Sequence, residues 1–128
     1  MKVKNLKIPI YDVDLKLVQI EGPSDSVKIK SMLSRLHCIK EDIDETVSNI
    51  ENGRVDGGDT FYNISVFKIV VILYRMKSFE KMIEVYMHEK RHVEDRILEH
   101  FEISCNESWA LLAGYLGVEF LKFMKQFE

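Results

Sequence analysis

Over residues 6–20 apolar and polar positions alternate approximately, with Val13, Leu15 and Leu17 set against Asp12, Asp14 and Lys16. That period of two, with several β-branched residues, predicts an extended strand, and Gly22-Pro23 ends it. Ser24 is then the expected cap of a helix over residues 25–51, uninterrupted or broken once. Its apolar positions Val27, Ile29, Met32, Leu33, Leu36, Ile39, Ile43, Val47 and Ile50 recur mostly at spacings of three and four. Asn52-Gly53 and Gly57-Gly58 bracket a turn-rich connection. Residues 60–65 and 66–74 follow, dense in Ile, Val, Phe and Tyr, and predict a hairpin or one long bent strand.

After Ser78 the period becomes helical: Phe79, Met82, Ile83, Tyr86, Val93, Ile97 and Phe101 fall on one stripe at about 100° per residue. Ser78 is placed to cap this helix, with Glu80 in its first turn. A break at Ile103-Ser104 precedes a last helix over residues 105–125. The order strand, helix, two strands, helix, helix predicts an α+β fold: a small mixed or antiparallel sheet packed by a long N-terminal helix and two C-terminal helices.

At 128 residues, with 46% hydrophobic and 30% charged positions, the chain is long and apolar enough for one core, so residues 1–128 are expected to form a single domain. Its 18 Lys and Arg stand against 21 Asp and Glu, a net charge of −3, which argues against nucleic acid or a membrane surface as partner. Cys38 and Cys105 form no C-x-x-C pair and no disulfide framework, and Asp12, Asp14 and Lys16 interrupt anything resembling a signal-peptide core. A reduced, cytoplasmic setting is the expectation.

The residues that carry chemistry are His88-Glu89-Lys90-Arg91-His92. This is H-E-x-x-H, with two imidazoles one helical turn apart on one face, where a single tetrahedral zinc can take both. On the helical wheel they stand at about 0° and 40°, while the apolar stripe centres near 160°, so the pair faces away from the stripe. Glu89, about 100° from His88, can reach a metal-bound water and take its proton as general base.

A third ligand is then required, since catalytic zinc sites commonly use three protein ligands. Glu107, across the break at Ile103-Ser104, is the first candidate. Ser104-x-x-Glu107 is also a capping box, so ligand and cap remain alternatives for this carboxylate. Asp95, one turn beyond His92, is a competing ligand or a group that orients His92. His100 lies near the stripe edge and reads as structural.

The segment His88-Glu89-Lys90-Arg91-His92, then Glu99-His100-Phe101-Glu102-Ile103, then Asn106-Glu107-Ser108-Trp109-Ala110 and onward to Leu116, resembles the small zincin-type metallopeptidase-like proteins of phages and bacterial mobile elements. The resemblance covers residues 57–125; residues 1–56 match no family in this way. It implies a zincin-like fold, zinc on His88, His92 and Glu107 in the gluzincin manner, and Glu89 as general base. It also implies a Tyr or His to steady the oxyanion, for which Tyr115 is the positional candidate and His100 the second. The implied activity is a zinc-dependent metallopeptidase acting on a peptide or protein substrate that pairs with a sheet edge, residues 60–65 or 66–74. The alternative is a non-catalytic interaction protein of a mobile element that keeps the same shape, with or without a structural metal.

Overall fold

The computed structural model describes residues 1–127, and it is a mixed α+β fold of a four-stranded sheet and four α-helices. Strands β1 (Lys2–Ile8) and β2 (Val13–Gln19) are followed by helices α1 (Ser26–Arg35) and α2 (Lys40–Glu51). Strands β3 (Gly58–Asn63) and β4 (Lys68–Leu73), then helices α3 (Phe79–His100) and α4 (Asn106–Met124), complete the order. The sheet runs β1-β2-β4-β3; β2 and β4 are parallel, and the outer pairs are antiparallel. The expected mixed sheet is therefore present, and residues 60–74 do fold as a hairpin.

The single strand expected over residues 6–20 is instead two. Pro9 begins a turn in which Ile10 and Asp12 take positive φ and Asp12 N–H donates to Ile8 C=O at 3.0 Å. Alternation runs straight through this turn, because β1 and β2 present the same two faces on either side of it.

The N-terminal helix is also two. At the end of α1, His37 N–H donates to Ser34 C=O and Cys38 N–H to Leu33 C=O, with His37 at φ 64°. This is a Schellman motif with histidine at the left-handed position. Ser24 does not cap the front: the N-cap position is Asp25, whose carboxylate makes no bond to the helix and instead accepts from the backbone N–H groups of Glu21 and Gly22 before it.

Over residues 17–19 and 69–73 the central strands are buried on both faces, as a parallel pair usually is. Val13, Leu15, Leu17, Ile69, Val71 and Leu73 meet α3 and α4, while Val18, Ile20, Val70, Ile72 and Tyr74 meet α1 and α2. Where the polar side chain of Gln19 is enclosed, Tyr86 donates to its Oε1 at 2.7 Å and its Nε2 donates to the carbonyls of Leu73 and Tyr74. The same packing rotates α3 slightly from its expected setting. Val85 and Glu89 are buried, while Phe79, Ile83 and Phe101, expected on the stripe, are partly exposed.

Among the described residues no helix is long and apolar enough to cross a membrane.

Candidate metal centre

Helix α3 starts cleanly because Ser78 Oγ accepts from Lys81 N–H at 3.1 Å. Its middle turn carries His88, Glu89 and His92, and it lies against β3 at the edge of the sheet. There the two histidines face a cavity of about 330 Å³, lined also by Gly58, Asp59, Thr60 and Arg96. His88 is exposed and His92 half-buried, with Nε2 of one 3.1 Å from Nε2 of the other. A hydrogen bond between them requires one ring to donate and the other to accept.

Glu89 is 3% exposed, and one carboxylate oxygen accepts from Thr60 Oγ1 at 2.6 Å. One ligand atom from each of His88, Glu89 and His92 can be chosen so that all three lie within 4.8 Å of one another.

The donor set fits zinc. Two imidazole nitrogens bound at 2.0–2.1 Å to a tetrahedral ion would stand about 3.3–3.4 Å apart, and these stand at 3.1 Å. Imidazole nitrogens are ligands that zinc takes in hydrolytic sites, and among the described residues the one further His, Cys, Asp or Glu ligand atom within 4.8 Å of both belongs to Glu89, so the pair alone holds the ion if Glu89 serves as base.

Glu89 can come so close to the strand because Gly58 has no side chain. A Cβ there would meet Glu89 Cγ at 2.9 Å and the Ile72 carbonyl oxygen at 3.1 Å. Only the first can move away easily, since the second belongs to the ladder of β4. Gly58→Ala is therefore expected to destabilise the fold by about 1–3 kcal/mol through overpacking. Urea unfolding checks this, and an unchanged midpoint would mean that Glu89 slides aside without cost.

The remaining residues expected at the site lie elsewhere. Glu107 is exposed in the first turn of α4 and belongs neither to the ligand group nor to the cavity lining. It does not cap either, because the N-cap position is Cys105 and no side chain bonds the cap. Trp109 explains its direction: the indole N–H donates to Glu94 on α3 at 2.8 Å. Two residues are about 200° apart on a helix, so the face that seats Trp109 on α3 turns Glu107 away.

Tyr115 is half-buried against the core and does not line the cavity. Burial, and secondarily the charge of Glu119, raise its phenol above the usual range. Asp95 pairs with Arg91 at 3.1 Å, and the His100 ring meets Phe67 and Phe101 edge-on.

Three neighbours of the pair escape a reading of the sequence alone. Thr60 is one strand residue among several, identified as a partner of Glu89 only once β3 is laid over α3. Asp59 lines the cavity between Gly58 and Thr60, but its side chain lies on the opposite face of β3, where Tyr74 O–H donates to it at 2.8 Å and burial pushes its carboxyl above the usual carboxylate range. Arg96, one turn past His92, is held over the Tyr62 ring at 4.6 Å and bonded to Glu99 at 3.2 Å. Its spacing of four from His92 was the available signal.

No protein-family model, curated protein or solved structure matches this chain.

Proposed function

We propose that this chain is a zinc-dependent hydrolase of minimal zincin form, acting on peptide bonds, with His88 and His92 holding the ion and Glu89 as general base. The observation that carries the reading is the meeting of His88, Glu89 and His92 in one cavity, with the carboxylate steadied by Thr60. The mixed sheet, with the motif helix lying against its edge strand and a further helix following, supports the zincin comparison.

Bound zinc supplies a Lewis acid that polarises a carbonyl and lowers the pKa of water. The chain supplies the rest. Strand β3 pairs with β4 alone, which leaves its outer edge to grip an extended substrate main chain antiparallel. Glu89 accepts a proton from the attacking water and passes it to the amine that leaves as the C–N bond breaks. Thr60, donating to one oxygen of Glu89, holds the carboxylate in one orientation for both transfers.

Elemental analysis of protein purified without chelator, followed by melting with and without EDTA, tests the metal. About one equivalent of zinc is expected in the wild type and none in His88→Ala or His92→Ala. At zinc a hundredfold above its Kd, the bound ion adds about 2.7 kcal/mol of stability that EDTA removes. Glu107→Gln is expected to keep its zinc, because that carboxylate stands outside the cluster. Zinc lost from this variant and retained by the histidine variants would overturn the assignment.

A further inference from the structure

A larger cavity, about 770 Å³, lies on the opposite face of the sheet, between α1 and the half of that face which the helices leave uncovered. Strand pairing sets Lys7 opposite Asp14, and Asp14 beside Lys68, so Lys7, Lys16 and Lys68 all rise from this one face. Helix α1 adds Lys28 and Arg35, seven residues apart and thus two turns along one side. Asp14 is the one carboxylate in the lining. It is engaged, with Asp12, by Lys7 at 3.2 and 3.4 Å. Among the described residues Lys16, Lys28, Arg35 and Lys68 have no ion-pair partner.

Five cations thus converge on one groove in a chain whose net charge is −3. The low total conceals a segregation of charge, and a cleft lined by one sign focuses its field on ligands of the other.

We propose that this groove is a docking site for a short acidic segment of a partner protein. Charge complementarity sets the sign of the occupant, and three features set its class. No aromatic side chain lines the groove, so it offers bases no stacking platform of the kind that single-stranded nucleic-acid sites use. Outside the groove the chain is more negative than its total, which repels a polyanion long enough to run out at both ends and leaves a short one untouched. Half-buried Met32, with Leu36 and Val70 beneath it, gives apolar contact that suits aliphatic side chains between the acids. The site is separate from His88 and His92, so it stands whether or not the hydrolase reading does.

The test is fluorescence-anisotropy titration of the full chain with a labelled short peptide of alternating Glu and Leu. The matching Gln-Leu peptide and a short oligothymidylate serve as comparison probes. The acidic peptide should bind with an affinity that falls as salt rises, and tighter than either comparison probe. The pair Lys16→Glu with Lys68→Glu should weaken it at least tenfold, and so should Lys28→Glu with Arg35→Glu, which alters only α1 and covers the case in which the strand variant fails to fold. Lys30→Glu, on α1 but outside the groove, should change it less than twofold. Tighter binding of the oligothymidylate, no preference over the Gln-Leu peptide, or equal weakening by Lys30→Glu would each overturn the proposal.

Discussion

Glu89→Gln is expected to leave zinc bound and to lower peptide hydrolysis by about 10²–10⁴-fold, the range that a positioned general base contributes. The substitution keeps the shape of a side chain that is 3% exposed and pressed against Gly58, so the packing survives. Its amide oxygen can still accept from the Thr60 hydroxyl, now 2.6 Å from Glu89 Oε2. What disappears is the ability to take a proton. The measurement is cleavage of a broad peptide library by zinc-loaded wild type and variant, with bound zinc assayed in the same samples. Loss of zinc from the variant would make Glu89 a ligand instead of the base. Unchanged cleavage would remove it from the chemistry, and a zinc-replete wild type inert toward the whole library would sink the hydrolase reading itself.

Periodicity and punctuation carried most of the fold. Each expected segment from residue 25 onward lies where a helix or strand is found, and the α+β order is correct except where one segment proved to be two. Both breaks, of which the one within residues 25–51 was allowed for, share a cause, the use of a left-handed residue that is not glycine. Helices α1, α2 and α3 all end in the same pair of backbone bonds, from the residues at 37 and 38, at 53 and 54, and at 102 and 103. Only Gly53 announces its motif; His37 and Glu102 occupy the same conformation without a glycine to mark it.

The site divides in the same way. The i, i+4 pair His88 and His92 is local, and one helix suffices to bring the rings together. The burial of Glu89 was also within reach. At about 100° on the wheel it lies some 60° from the centre of the apolar stripe, nearer the core than the solvent. Everything contributed by another element was hidden: Thr60 and Gly58 depend on how β3 crosses α3, and the direction of Glu107 depends on how α4 docks. A spacing of 15 residues between His92 and Glu107 leaves that docking undetermined, because it says nothing of which face of α4 turns inward.

What does set that face is an interaction the motif does not include, and its removal is the larger stability effect expected here. Glu94 is 2% exposed, accepts from Lys90 Nζ and from the Trp109 indole, and lies 3.6 Å from Arg91. Arg91 in turn stacks over the Trp109 ring at 4.7 Å, so one carboxylate ties two turns of α3 to the first turns of α4. Glu94→Ala leaves the Lys90 ammonium, itself 15% exposed, without its counter-ion and the indole N–H without an acceptor. Breaking a buried pair from one side costs about 3–5 kcal/mol. For a domain of this size that corresponds to a drop in Tm of about 10–20 °C.

A double-mutant cycle with Trp109→Phe separates the hydrogen bond from the charge, and a coupling of about 0.5–3 kcal/mol is expected between residues in contact. Because Glu94 lies outside the cavity that holds His88 and His92, the zinc content of the folded variant should equal that of the wild type. A loss of stability below about 1 kcal/mol, the size of an exposed ion pair, would mean that apolar packing alone docks α4. The orientation that turns Glu107 to solvent would then lack its physical cause.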